Sequence, residues 1–288
     1  MQIVQGDQVE RRRGLEHRGG TFYSRTLVSG EPGTPGNFKL SLSENGTDHF
    51  GPRHRHNFEQ YRFMVSGVAD FARDGKLRPG VLGYFPEGVY YGPQTNLEQT
   101  FVIVLQFGGA SGSGYLQPAE VKRGMEELKA FGEFREGLFH RNPGVPGRRR
   151  SDPYQAIWEH FNGRLMKFPP PRYEKPVFVN SAQFSWSEIA GGVGEKLLGV
   201  FTERRTEASM LRLDKGVTHE VSGRGLWVTL EGSGAIAGTP SRQFTTLFLD
   251  KGETARLEAR ETTLMLHYGL PDLAHLSANH ASVRMAAE

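Results

Sequence analysis

The sequence of 288 residues predicts an all-β protein, a barrel or a sandwich, with helices confined to the middle of the chain. Short runs of β-branched and aromatic residues recur along it, and the 37 glycines and 16 prolines separate one run from the next. Apolar runs of this length, bounded by turn residues, are typical of strands. The chain is also long enough for two domains, each with a core of its own.

The strand-like runs fall into two groups on either side of a helical segment. They lie at residues 61–66 and 100–107 in the first group, and at 226–230, 244–249 and 262–268 in the second. Between them, residues 118–131 and 151–161 carry helix formers and apolar residues near helical spacing. Ser151 or Asp152 can cap the second helix, and Pro153 suits its first position. The prolines of 168–172 then prevent a helix from continuing.

Composition excludes several classes of protein. There is no cysteine, so disulfides, a thiolate nucleophile and thiolate metal ligands are all excluded. The net charge of +3 reflects 35 basic and 32 acidic residues, and the short basic clusters at 11–13 and 148–150 are typical of solvated loops. We therefore expect no nucleic-acid partner. A polar amino terminus and the lack of a long apolar run predict a cytoplasmic protein without a membrane segment.

One segment of the first half concentrates polar side chains at a regular spacing. His54 and His56 are separated by one residue. Three residues then separate His56 from Gln60, and six separate Gln60 from Gly67. Residues two apart on a strand face the same side, so both histidines should project together into the barrel. Farther along, Pro86-x-Gly88 forms a turn, and Tyr91 should meet the histidines from across the barrel.

Together these two segments resemble the two conserved motifs of the cupin superfamily. In that family the first motif supplies two histidines and a glutamate, and the second supplies a third histidine, all of them metal ligands. The resemblance implies a jelly-roll β-barrel in which Gln60 stands at the glutamate position and Tyr91 at the third histidine position. Glu59 could replace Gln60 only if a bulge turned it inward. His49 is a further candidate ligand.

The second half repeats the spacing faintly. Gly232 lies thirteen residues after His219, as Gly67 lies thirteen after His54, while the remaining ligand positions carry Val221, Gly225 and Ala255. The resemblance therefore implies a bicupin with two barrels in tandem, the second without a working metal site and with a structural role. We expect a first barrel over residues 1–112, a helical linker over 113–175 and a degenerate second barrel over 176–288. The tripeptide Gln-Phe-Gly that begins at Gln106 also aligns with His-Tyr-Gly, which begins at His267.

The side chains leave two interpretations of the first barrel open. His54, His56, Gln60 and Tyr91 could hold a metal ion, and without thiolates that ion would be Fe, Mn, Ni or Zn. Alternatively, no metal binds, and the same four side chains form the polar lining of a ligand pocket. Arg62 shares the parity of Gln60 and so could bind a carboxylate or a phenolate of a ligand.

Arg62 and a group of aromatic residues each have a second interpretation. Arg62 could instead form a salt bridge to Glu98 or Asp70. An aromatic cluster could line a pocket for a planar substrate or could be ordinary barrel core; its members are Tyr84, Phe85, Tyr90 and Tyr91.

The resemblance implies that the protein acts on small molecules, and three kinds of function agree with it. The first hypothesis is a metal-dependent dioxygenase similar to bicupins of the quercetinase or gentisate type. The alternatives are a binding module for a small ligand, and a metal-independent isomerase or cyclase that uses acid–base chemistry. The predicted catalytic side chains are Tyr91, Gln60 and Arg62. The partners should be a small-molecule substrate and a second copy of the chain, because barrel sheets have edges that need covering.

Overall fold

A computed structural model of the chain describes residues 1–14, 20–34, 36–109, 115–202 and 204–271. It confirms a mainly β protein with helices in the middle. The first group of strands runs as follows: β1 (Gln2–Gln5), β2 (Arg12–Arg13), β3 (Phe22–Ser29), β4 (Phe38–Asn45), β5 (Phe50–Gly51), β6 (Phe58–Ser66), β7 (Ala69–Asp70), β8 (Lys76–Leu77), β9 (Val81–Phe85), β10 (Gln94–Asn96) and β11 (Thr100–Gly108).

The middle of the chain combines two helices with a small sheet, in the order α1 (Pro118–Leu128), β12 (Gly132–Arg135), β13 (Leu138–Arg141), β14 (Arg150–Ser151) and α2 (Pro153–Asn162). Helix α1 starts with a capping box between Gln117 and Glu120. In α2 the Asp152 carboxylate accepts a hydrogen bond from the Gln155 N–H, and Pro153 takes the first helical position, as predicted. Neither helix is long and apolar enough to cross a membrane.

The second group of strands follows: β15 (Val177–Asn180), β16 (Ser187–Ala190), β17 (Val193–Phe201), β18 (Thr206–Leu213), β19 (Thr218–Ser222), β20 (Gly225–Glu231), β21 (Gly234–Ile236), β22 (Thr239–Ser241), β23 (Thr245–Leu249), β24 (Thr254–Ala259) and β25 (Thr263–Gly269). Short 3₁₀ turns occur at Ala72–Asp74 and Ser181–Gln183.

The chain divides into two compact units. We call the unit formed by Arg11–Ser24 and Ser29–Phe178 the first barrel, and the unit formed by Met1–Glu10, Arg25–Val28 and Val179–Glu288 the second barrel. The helical segment thus belongs to the first unit, and the amino-terminal strand β1 belongs to the second.

Each barrel pairs a seven-stranded sheet with a four-stranded sheet, in the same strand order. In the first barrel the large sheet runs β15-β9-β6-β11-β4-β3-β2 and the small one β5-β10-β7-β8. In the second the orders are β1-β23-β20-β25-β18-β17-β16 and β19-β24-β21-β22. Strand β1 therefore occupies the outermost position in the second barrel that β15 occupies in the first.

A bulge followed by a glycine marks the same position in both barrels. The pairing of β6 with β11 shifts at Met64–Ser66, and that of β20 with β25 shifts at Thr229–Glu231. Gly67 and Gly232 follow with φ of +79° and +85°, and a Cβ on either would lie 2.2 or 2.4 Å from a backbone carbonyl oxygen. Only glycine satisfies both demands.

The bulges also correct one detail of the predicted repeat. When β6 and β20 are aligned at their bulges, Gly225 corresponds to Gln60, as predicted, and Trp227 corresponds to Arg62. On the neighbouring strands β11 and β25, His267 corresponds to Val104, because Val104 pairs with Arg62 and His267 pairs with Trp227. The predicted match of Gln106 to His267 is wrong by two residues, since the short tripeptides looked alike while the bulge fixes the register.

The inside of the first barrel is defined by one face of its large sheet. Alternate residues of β6 lie on this face, which we call the inner face: Phe58, Gln60, Arg62 and Met64. Met64 packs there with Phe71, Leu77 and Tyr91 in one buried cluster. The other face of β6 is also buried, with Tyr61 and Phe63 among its residues, so the strand is covered on both sides.

Candidate functional site in the first barrel

A backbone bridge brings the two sequence motifs together. His54 and Tyr91 form an isolated antiparallel bridge in which the His54 N–H donates to the Tyr91 carbonyl at 3.1 Å and the Tyr91 N–H donates back at 2.9 Å. The ring centroids of the same two residues lie 4.5 Å apart. The prediction that Tyr91 meets the histidines across the barrel is therefore confirmed.

Both histidines face the same site, although they lie in the irregular segment between β5 and β6. Their ring centroids are 4.8 Å apart. Nδ1 of His54 lies 2.7 Å from the Pro52 carbonyl oxygen. A carbonyl only accepts, so Nδ1 carries the hydrogen and Nε2 is the basic nitrogen. His56 stacks on Phe58 at 4.2 Å, and its Nδ1 lies 3.2 Å from the Tyr91 hydroxyl.

Arg62 is the centre of the hydrogen-bond network. Its Nε donates to Gln60 Oε1 at 2.7 Å, Nη1 to Gln94 Oε1 at 2.8 Å, and Nη2 to the Tyr91 hydroxyl at 3.2 Å. The guanidinium also lies 4.6 Å from the centroid of the Phe85 ring, a cation–π distance. In the described part of the chain the predicted salt bridge of Arg62 to Glu98 or Asp70 is not found, and the Asp70 carboxylate pairs with Lys76 at 2.9 Å instead.

This network is a poor fit for a metal ion. Gln60 Oε1 and the Tyr91 oxygen are the two predicted ligands besides the histidines, and both accept a hydrogen bond from the same permanent cation. A divalent ion bound to those oxygens would be repelled by that charge at close range. Within the described residues, no group of three or more histidine and carboxylate side chains is placed to hold an ion, so His49 does not complete the set.

Glu59 does not replace Gln60 at the site. The pairing of β6 with β9 is regular at this point, with Gln60 opposite Phe85 and Tyr61 opposite Tyr84. Glu59 therefore lies on the face opposite the inner one, where it is 2% exposed and accepts a hydrogen bond of 2.6 Å from the Tyr84 hydroxyl. Burial, followed by the charge of Glu59, raises the pKa of Tyr84 well above its ordinary value.

The predicted aromatic cluster divides between three environments. Phe85 and Tyr91 line the inner face, with ring centroids 4.7 Å apart. Tyr84 lies on the opposite face with Glu59. Tyr90 is 48% exposed and lies beneath the guanidinium of Arg55 at 4.6 Å. Alternation along the strand and its turn thus leaves only two of the four aromatic residues at the site.

Sequence reasoning missed Lys39. This lysine of β4 pairs with Gln106, which pairs in turn with Gln60, so the three share one row of the inner face. Burial lowers the pKa of Lys39 to about 8. The signal was present in the sequence, because Lys39, Ser41 and Ser43 alternate with apolar residues in a strand whose two faces are both covered.

Two tyrosines, one from the chain before α1 and one from α2, pack against Phe58 of the inner face. The Tyr115 hydroxyl donates to Gln106 Oε1 at 3.0 Å, and its ring lies edge-on to Phe58 at 5.1 Å. Tyr154 of α2 lies edge-on to Phe58 at 5.3 Å, and its hydroxyl accepts a hydrogen bond from the Leu116 N–H. Burial raises the pKa of both tyrosines, so their hydroxyls stay protonated.

The second barrel replaces the polar network with stacked rings. Trp227, at the position of Arg62, stacks on His267 with centroids 4.5 Å apart and planes 18° apart. Nδ1 of His267 lies 3.1 Å from the Ser209 hydroxyl. Burial lowers the pKa of His267 to about 4, so the ring is neutral at pH 7. Val221 and Ala255, at two of the remaining ligand positions, are part of the apolar core.

No protein-family model and no curated protein matches the sequence, but solved structures match it. A proposed dioxygenase of Nostoc punctiforme PCC 73102 superposes with a TM-score of 0.64 at 12% identity, over 92% of this chain and 81% of that one. An oxalate decarboxylase of Bacillus subtilis superposes with a TM-score of 0.55 at 13% identity, over 94% and 77%. A second structure of that enzyme, from work on its Mn(II) centres, gives 0.55 at 14%, over 94% and 78%.

The chain therefore has the tandem-barrel fold of bicupins that its two motifs predict. At identities of 12 to 14% the likeness concerns the fold alone. The chemistry of the first barrel depends on its own side chains.

Proposed function

We propose that the first barrel binds a small organic anion, a carboxylate or a phenolate, and carries out acid–base chemistry on it. One observation carries the proposal: Arg62 donates hydrogen bonds to Gln60 Oε1 and to the Tyr91 hydroxyl, the two oxygens that would otherwise be metal ligands. The site is then organised around a fixed guanidinium. Guanidinium groups suit the planar geometry of carboxylates.

Charge and shape on the inner face support the choice of an anion. Arg62 and Lys39 are both on this face and both are only partly buried, so a ligand can reach them. Phe85 and Tyr91 provide aromatic walls beside the guanidinium. A small anion with a planar or apolar body would pair its charge with Arg62 and pack its body against these rings.

His56 and Tyr91 are the pair proposed to move a proton. The Tyr91 hydroxyl is held between the guanidinium of Arg62 and Nδ1 of His56. It can pass its proton to the imidazole while it keeps the hydrogen bond from Arg62. General acid–base catalysis requires a side chain that gives a proton to the substrate or takes one from it, and the imidazole beside Tyr91 can accept the proton that frees the tyrosine oxygen for this role. In this scheme Arg62 and Gln60 bind and orient the anion, and Tyr91 is the catalytic residue.

Calorimetric titration tests anion binding. Benzoate and salicylate should bind the wild-type protein at least about tenfold more tightly than their neutral amides, a difference of about 1.4 kcal/mol. The Arg62→Met variant should lose this preference, while Arg123→Met, an exposed arginine of α1, should keep it. Equal binding of acids and amides by the wild type would overturn the proposal.

Proton exchange separates an enzyme from a binding module. Small carboxylic acids that bind would be incubated with the protein in D₂O, and exchange of the carbon-bound hydrogens beside the carboxylate would be followed by NMR. The proposal expects exchange in the wild type, and its loss in Tyr91→Phe with binding retained. Binding without exchange for every acid would instead support the alternative of a non-catalytic ligand-binding barrel.

A metal-dependent dioxygenase is the second candidate. It is supported by the two imidazoles at 4.8 Å and by the structural likeness to a proposed dioxygenase. This candidate requires Gln60 and Tyr91 to leave Arg62, or two histidines to hold the ion with water. Elemental analysis of the protein beside a His54→Ala, His56→Ala double variant decides: a stoichiometric metal lost in the variant would favour the dioxygenase.

A further inference from the structure

Lys39 differs from an ordinary surface lysine in its position and surroundings. It lies in β4 with its side chain on the inner face, because its cross-strand partner Gln106 bonds to Tyr115, which packs against Phe58 of that face. Its neighbours along the same side of β4, Ser41 and Ser43, are buried. In the part of the chain that the structure describes, Lys39 makes neither a hydrogen bond nor an ion pair.

Lys39 and Gln60, which is part of the proposed anion site, belong to the same row of paired residues across the sheet. Lys39 pairs with Gln106 and Gln106 with Gln60, so two strand spacings, roughly 10 Å, separate the backbones of Lys39 and Gln60. An extended lysine side chain reaches on the order of 6 Å. The amine of Lys39 and the guanidinium bonded to Gln60 thus lie on the same face of the sheet, near opposite ends of one row, where a single small molecule could contact both.

Accordingly, we propose that Lys39 is an amine nucleophile that forms an imine with the carbonyl group of an oxo-acid substrate whose carboxylate is held by Arg62. This inference rests on the proposed function, because Arg62 supplies the anion site. It adds a substrate class, small aldehydes or ketones that carry a carboxylate, and a residue outside the cupin motifs.

The step balances without a further reactant. The neutral amine attacks the carbonyl carbon, a C–N bond forms, and the carbonyl oxygen takes up a proton as the nitrogen loses one. The resulting carbinolamine then loses its hydroxyl group and the remaining N–H proton as water, leaving a C=N bond. Only an unprotonated amine can begin this sequence, and the pKa of Lys39, lowered to about 8 by burial, keeps a substantial fraction neutral near pH 7.5.

Reductive trapping tests the inference on the full-length wild-type protein. The protein would be incubated at pH 7.5 with cyanoborohydride and either glyoxylate or neutral propanal, and each modified lysine would be quantified by peptide mass spectrometry. Lys122, an exposed lysine of α1, is the internal control. We expect Lys39 to be modified by glyoxylate at least about tenfold faster than Lys122, because its neutral fraction is larger.

The two probes and the Arg62→Met variant show whether the amine of Lys39 or the anion site at Arg62 is wrongly assigned. In Arg62→Met, modification of Lys39 by glyoxylate should fall while modification by propanal persists. If Lys39 reacts fast with both probes and Arg62→Met changes nothing, the amine assignment holds and the anion site at Arg62 fails. If Lys39 reacts no faster than Lys122 with either probe, the inference is overturned, whatever the anion titrations show.

Discussion

The side chains of Arg62 and Tyr91 meet inside the first barrel, with Nη2 of the arginine 3.2 Å from the phenol oxygen and the guanidinium carbon 5.5 Å from the ring centroid. Tyr91 stands where the cupin motifs would place a metal-binding histidine. Its oxygen instead completes a network that begins at Gln60, passes through Arg62 and reaches His56. A fixed positive charge is therefore hydrogen-bonded to both oxygens that these positions could offer to a cation.

Restoring the ligands and removing this charge should create a metal site. The triple variant Gln60→Glu, Arg62→Met, Tyr91→His supplies three histidines and a carboxylate, a donor set suited to Mn²⁺ or Fe²⁺. We expect it to bind Mn²⁺ at least about tenfold more tightly than the wild type, or by about 1.4 kcal/mol. Titration followed by electron paramagnetic resonance measures both affinities. The single variant Arg62→Met separates the effect of charge from that of the donors, and equal affinity of wild type and triple variant would contradict the argument.

Lys39 should destabilise the first barrel near neutral pH. Its pKa falls from 10.5 to about 8 on folding, so between these values the unfolded chain binds more protons and stability rises with pH. Lys39→Met should therefore raise the free energy of unfolding by about 1–3 kcal/mol at pH 7, where the buried charge costs most. Urea unfolding at pH 7, 8, 9 and 10 checks this, because the gain should shrink across the series. A gain that stays constant with pH would indicate packing rather than charge.

The hydrogen bond between Tyr84 and Glu59 should contribute to the stability of the first barrel. Tyr84→Phe removes the 2.6 Å bond to a buried carboxylate, and we expect it to lower the free energy of unfolding by about 1.5–3 kcal/mol. Tyr90→Phe, at an exposed tyrosine of the following turn, is the control and should change stability little. Chemical denaturation measures both. A Tyr84→Phe variant as stable as the wild type would show that the bond adds nothing net.

His267 should make the second barrel sensitive to acid. The pKa of this histidine drops from 6.5 to about 4 on burial, so the unfolded chain binds more protons between those values and stability falls as the pH is lowered through that window. The loss should be about 1–3 kcal/mol. Urea unfolding between pH 4 and 7, followed by tryptophan fluorescence, should show a flatter profile for His267→Gln than for His219→Gln. Identical profiles would assign the acid sensitivity to other groups.

The two glycines after the matched bulges should be equally intolerant of substitution. Gly67→Ala and Gly232→Ala would each combine a positive φ with a Cβ placed against a backbone carbonyl oxygen. Each should lower stability by about 2 kcal/mol or more, since strain and overlap add. Gly144→Ala is the control, because Gly144 also has a positive φ but open space around it. Thermal unfolding distinguishes the three, and equal losses in all of them would mean that strain alone matters.

The sequence by itself determined the fold. Strand-like runs separated by glycine and proline, helix signals confined to the middle, and the match of Gln60 and Gly67 with Gly225 and Gly232 all hold in the structure. These features are local, or depend on fixed steps along the chain, and so they can be counted from the sequence. The homodimer and the cytoplasmic location stay predictions.

Only the tertiary structure decided what the site contains. Strand parity places Arg62 beside Gln60, but nothing in the sequence shows that the guanidinium reaches Gln94 and Tyr91 from two other parts of the chain. Lys39 joins the site through pairing across two strands that are distant in sequence. Spacing along one strand fixes which side a residue faces. The contacts on that side depend on strands brought together by the packing of the whole barrel, and they turn a motif typical of metal ligands into a network centred on a guanidinium.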